Sequence, residues 1–228
     1  MKYLISFALL GSMATSAWAV VFNDALNDVS EPMASNNVNF DMSGFEITNT
    51  LSSITFAFTV DSPDVTTNGW QKFNVIMRKG GGPLSGSNGW GRNYSLAGGA
   101  DRFIGGWVDG GGGFEARQYD GANWPVNGAT YVPTAGMSLA ISGPTVSYTV
   151  DLATLGLAVG DTFVFDAVVT GDGGGHGAFD TLTTPGSNDW NAPVEINSQL
   201  SYTVVPEPAT MSALGLGIAA MLRRRKKA

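Results

Sequence analysis

Apolar and polar residues alternate with a period of two through much of the middle of the chain. Ile54, Phe56, Phe58 and Val60 alternate with Thr55, Ala57 and Thr59, and Val146, Tyr148 and Val150 alternate with Ser147 and Thr149. Phe73, Val75 and Met77 alternate with Asn74 and Ile76. Such alternation puts successive side chains on opposite faces of a strand with one face buried. The run Phe163 to Val169 is apolar on both faces except at Asp166, which predicts a strand covered on both sides. Residues 102–108, 114–119, 137–142 and 200–204 read as further strands, separated by turns rich in Gly, Pro, Asn and Asp. About eight strands and no long stretch with a 3.6-residue period predict an all-β protein, an antiparallel β-sandwich or jelly roll. Residues 151–157 predict a single helical turn, capped by Asp151 and ended by Gly156. With no break in composition between residues 40 and 204 and no internal repeat, residues 20–204 are expected to form one domain.

The two ends read differently. Residues 1–19 carry one cation at Lys2, an apolar run through Leu10, and the small residues Ala17 and Ala19 on either side of Trp18. This is the pattern of a secretory signal peptide, and it predicts cleavage by signal peptidase after Ala19. At the other end, Pro206-Glu207-Pro208 favours extended chain, because each proline lacks an N–H and disfavours helix at its predecessor. Residues 209–222 follow without a charge, and then come Arg223, Arg224, Arg225, Lys226 and Lys227. Fourteen residues of helix span about 21 Å, against a hydrocarbon core about 30 Å thick. A short, weakly held transmembrane helix is expected, with the basic tail on the cytoplasmic side. A retained membrane anchor is the alternative.

The three parts of residues 205–228, in this order, resemble the PEP-CTERM sorting signal: Pro206-Glu207-Pro208, the short Gly- and Ala-rich span, and the basic tail. The resemblance implies recognition by an exosortase, export across the inner membrane of a Gram-negative bacterium that makes exopolysaccharide, and contact with the membrane through the C-terminal helix before processing. Residues 145–180 are also similar to the C-terminal half of many secreted bacterial β-sandwiches, sugar-binding modules among them, which supports the fold.

Charge narrows the chemistry. Residues 20–204 hold 18 acids and six cations, near −12, so no nucleic-acid partner is expected. The absence of cysteine removes disulfides and thiolate zinc sites. Two Gly- and Asp-rich stretches, 105–113 and 171–177, offer hard oxygen ligands on permissive backbone. They make calcium the candidate cofactor, held by Asp172 and Asp180 with Asp109 or Asp189 as a third ligand, although neither stretch has EF-hand or nonapeptide spacing and a plain hairpin loop is the alternative. His176, the only histidine, reads as a solvated loop residue.

Four tryptophans (Trp70, Trp90, Trp124 and Trp190) stand beside Gly, Asn or Pro at strand ends, where a ring can stack on a sugar or cap the core. Trp90, Arg92, Tyr94, Trp124 and Trp190 are the candidate ligand contacts. The sequence thus predicts a non-catalytic, glycan- or exopolysaccharide-associated surface module. A structural or adhesive matrix protein without a ligand is the first alternative, and a secreted glycoside hydrolase or lyase using paired acids is the second.

Overall fold

The computed structural model describes residues 18–29, 38–67, 69–132, 134–185 and 189–206. Its strands in chain order are β1 (Trp18–Asn23), β2 (Met42–Asn49), β3 (Ser53–Val60), β4 (Lys72–Arg78), β5 (Tyr94–Leu96), β6 (Arg102–Trp107), β7 (Gly113–Gln118), β8 (Val126–Ala129), β9 (Ser138–Ser142), β10 (Thr145–Asp151), β11 (Thr162–Thr170), β12 (Asp180–Thr181), β13 (Val194–Ile196) and β14 (Ser201–Thr203). One sheet runs β1-β2-β3-β10-β9, all antiparallel. The other runs β12-β11-β4-β6-β7-β8, with β14 also pairing β11. The sheets stack as a sandwich, as the alternation predicts.

The main core lies between them. Phe45, Phe56, Phe58 and Tyr148 of the five-stranded sheet meet Phe73, Val75, Phe114, Phe163 and Phe165 of the other, all buried. The outward face of the five-stranded sheet is polar and small, and threonines pair across strands: Thr55 with Thr149 at 2.8 Å and Thr59 with Thr145 at 3.2 Å.

The second sheet is covered on both faces. Ile76, Phe103 and Val168 point away from the main core into a smaller cluster with Tyr94, Leu96, Ala178 and Ile196, under a layer that contains the parallel pair β5-β13. This outer layer explains why residues 163–169 are apolar on both sides. It also buries Asp166, which accepts hydrogen bonds from the Leu182 N–H and the Thr183 hydroxyl.

Several strands go beyond the eight expected. β1, β2, β5, β8, β12 and β13 arise from tertiary pairing as much as from local pattern. The turn at Leu152–Leu155 forms and Gly156 ends it in left-handed conformation at φ 60°, but the Asp151 side chain makes no capping bond. Residues 105–107, expected to begin a ligand loop, belong to β6, and the chain returns as β7 after a short 3₁₀ turn at Asp109–Gly111. Glycine is needed here for close approach. The ring of Trp90 occupies the space a Cβ would take at Gly105 on the outer face, and the ring of Tyr148 takes that space at Gly106 on the core face.

Among the described residues no helix is long and apolar enough to cross a membrane. The predicted span at 209–222, the basic residues Arg223, Arg224, Arg225, Lys226 and Lys227, the motif residues Glu207 and Pro208, and signal residues 1–17 with Ala17 lie outside the described residues.

Candidate functional site

The aromatic residues form separate groups instead of one platform. Trp90 is half-buried, its ring edge-on to Phe103 at 5.6 Å, and its indole N–H donates to Glu115. The Arg92 guanidinium lies 5.3 Å from the Trp90 ring centroid, a cation–π distance, and donates to the carbonyls of Gly173 and Asp172. Trp124 packs on the other side of Phe103 at 6.4 Å and against Tyr119 at 5.3 Å, and its N–H faces Ser85 Oγ at 3.3 Å. The structure therefore brings Trp90, Arg92 and Trp124 together on the outer face of the seven-stranded sheet. Beside Arg92 a groove of about 360 Å³ is lined by Ser87, Asn93, Ser95, Pro193 and Glu195.

Tyr94 borders the same groove with its ring turned inward, and Trp190 lies in a separate aromatic group. Tyr94 is 3% exposed, and its hydroxyl sits 2.7 Å from the Asn74 amide that donates to it. Burial pushes that phenol well above its ordinary value. It is a core residue, and the sequence misled because an aromatic beside Trp and Arg looks the same whether its strand faces in or out. Trp190 stacks on Trp70 at 5.8 Å in a second group with His176, Phe40 and Phe179. This group caps one end of the main core. His176 is part of that packing and not a freely solvated loop residue: its ring meets Trp190 and Phe179 at 5.8 and 5.3 Å, and its backbone closes a turn onto Gly173. Burial, then the Arg92 charge, lower its basicity, which favours the neutral ring.

The three acids expected to share calcium are also separated. Asp109 pairs with Lys72 at 3.0 Å. Asp172 is exposed at the glycine loop, where its carbonyl serves Arg92. Asp180 is fully buried and stands with Asp28 and Asp41, each offering an oxygen within 4.8 Å of the others. Asp28 and Asp41 were not singled out from the sequence. The available signal was an Asp at 24, 28 and 41 around the first two strands, and only long-range folding places Asp180 beside them.

Trp18 and Val205 come together at Asn49, at the opposite end of β2 from this acidic group. Asn49, at the end of β2, is the register partner of Trp18 in β1. Its side chain also receives the Tyr202 hydroxyl at 2.6 Å and the Val205 N–H at 3.2 Å, and donates to the Val205 carbonyl at 2.8 Å. Asp41 and Met42 are at the far end of β2, and β1 runs on from its Asn23 into Asp24. Signal cleavage after Ala19 would leave Val20 to Asn23 of β1 in place.

The chain has no match among curated proteins. Residues 204–226 match the family model of the PEP-CTERM protein-sorting motif. They begin at Val204, the last buried residue of the final strand segment, so the sorting signal starts where the sandwich stops. Through that motif the chain is identified as a PEP-CTERM protein, exported, sorted by an exosortase, and destined for the cell surface or extracellular space.

Proposed function

We propose that the sandwich is a non-catalytic module that associates with exopolysaccharide at the surface of a Gram-negative bacterium, after signal peptidase has removed residues 1–19 and an exosortase has processed the tail. The observation that carries this reading is the groove lined by Arg92, Asn93, Ser95 and Glu195, with the Arg92 guanidinium 5.3 Å from the Trp90 ring. These groups supply hydrogen-bonding partners for sugar hydroxyls beside an aromatic ring. The near −12 charge of residues 20–204 favours a neutral or cationic glycan over a strongly anionic one.

Binding to a glycan array, and to matrix polysaccharide from the producing cells, tests the proposal. Arg92→Ala should weaken binding at least several-fold while the melting temperature stays within a few degrees of the parent. No glycan signal above background, or full binding by Arg92→Ala, would remove this reading.

A second reading, a structural or adhesive matrix protein without a ligand, draws support from the tryptophans. The indole N–H groups of Trp90 and Trp124 are already engaged with Glu115 and Ser85. Loss of biofilm cohesion on deletion, with no glycan bound by the pure protein, would favour it.

A further inference from the structure

We propose that Asp28, Asp41 and Asp180, with Asp24 beside them, form a calcium site that clamps the edges of the two sheets together. These carboxylates come from three stretches far apart in the chain: the segment leaving β1, the residue entering β2, and the start of β12. β1 is the outer strand of one sheet and β12 the outer strand of the other.

Three of the four carboxylates are held by backbone N–H groups. Asp24 Oδ1 accepts the Ala25 N–H at 3.0 Å, Asp41 Oδ2 accepts the Asn27 N–H at 2.9 Å, and Asp180 Oδ2 accepts the Met42 N–H at 2.6 Å. Asn27 reaches Asp41 by adopting a left-handed conformation at φ 66°, which asparagine tolerates better than most residues. In all three acids the second oxygen is buried and lacks a hydrogen-bond partner, as is Asp28 Oδ1. Asp180 carries the case: its side chain has no exposure, its Oδ1 lacks a partner, and the carboxylate lies within 4.8 Å of those of Asp28 and Asp41.

Three acids at such spacing, with Asp24 bearing on them, repel one another, and burial removes the water that would screen them. The surroundings add to the repulsion. Asp61 bears on Asp41, and Asp166 bears on Asp24. Burial first, then the neighbouring carboxylates, push Asp24 up to about 7 and raise Asp41 and Asp180, while burial alone raises Asp28. None of the six Lys and Arg among the described residues relieves the charge. Lys72, Lys79, Arg102 and Arg117 pair with Asp109, Asp161, Asp101 and Glu115, while Arg78 and Arg92 donate to backbone carbonyls.

The donor set selects the ion. All-oxygen ligands without His or Cys favour a hard cation over zinc or copper. Oxygens on opposite sides of Ca²⁺ are about 4.6–5.2 Å apart, so separations within 4.8 Å fit its coordination sphere, while Mg²⁺ is seldom held by a cage of protein carboxylates alone. Extracellular modules bind calcium at about 10⁻⁴–10⁻³ M, a range suited to an exported protein.

The test is calorimetric titration of the purified full chain, stripped with chelator and then supplied with calcium chloride, alongside thermal melting. One calcium per chain is expected, with a melting temperature raised by about 5–10 °C near saturation. Asp180→Asn and Asp28→Asn should lose this response, yet melt no lower than the parent in chelator, because each removes a repelling charge. Asp28 is half-buried on a loop, so its variant remains informative if Asp180→Asn does not fold. No calcium heat with an unchanged melt, an equal shift with magnesium, or a full response in both variants would overturn the proposal. Because the readout uses no glycan, the outcome is independent of the reading based on Trp90 and Arg92.

Discussion

Replacing Tyr148 by Phe should make the protein more stable, although it deletes a polar atom from the largest side chain in the core. Tyr148 is fully buried on β10, with its ring 4.9 Å from Phe114 and 6.0 Å from Phe58, over the bare backbone of Gly106. Its hydroxyl oxygen has no hydrogen-bond partner, and burial raises the phenol well above its ordinary value. A buried hydroxyl without a partner costs about 1–3 kcal/mol relative to water, while phenylalanine keeps nearly all of the ring's packing. The contacts made by the lost oxygen offset part of this, so a net gain of about 1–2 kcal/mol is expected, or about 2–8 °C in melting temperature for a domain of this size. Gly106→Ala serves as the opposing probe. Its new methyl collides with the Tyr148 ring and should cost about 1–3 kcal/mol, and the double variant should recover part of that loss. Equilibrium urea denaturation with a common m-value measures all three. A loss of 1 kcal/mol or more in Tyr148→Phe would mean that the hydroxyl is bonded inside the core, and the reasoning from its isolation would fail.

Asn49→Ala should cost about 1–3 kcal/mol, because it leaves the Tyr202 hydroxyl and both backbone groups of Val205 without their partner; limited proteolysis should then cut near residue 205 faster than in the parent. Asp166 should make stability depend on pH. Burial raises its folded value to about 7 against an ordinary value near 4, so the fold favours the protonated form, and the stability present below pH 4 is lost as pH rises through 7. Asp166→Asn, which has no proton to lose, should show a flatter fall in melting temperature over that window; an unchanged profile would exclude Asp166 as its source.

What the sequence revealed follows from where each element finds its stabilisation. β3 and β10 were legible because each has one face in the core and one in water, so the alternation survives without any knowledge of partners. β11 was legible for the opposite reason, since cover on both faces leaves it almost wholly apolar. β1 was hidden because Val20, Val21 and Phe22 continue directly from the signal-like residues, and the three-residue strands β5 and β13 are defined by each other. At the candidate sites, residue type was readable but direction was not. Trp90 and Arg92 are neighbours in the chain and in space, whereas Tyr94, two positions further, turns inward to Asn74. Asp180 was recognisable as a carboxylate available to a cation, but its companions lie at residues 24, 28 and 41, and no local spacing encodes a meeting across the edges of two sheets.

The knot at Asn49 also fixes how the molecule stands. Trp18 and Val205 leave from the same pole, so the segments joined to both ends of the sandwich set out from one side of it. The eight residues of β2 act as a pillar about 26 Å tall between that side and the opposite one. Asp41, Asp180 and the stacked pair Trp70 and Trp190 stand at the far end of the pillar. Exosortase processing at the sorting signal, which begins at residue 204, therefore takes place a strand's length away from them.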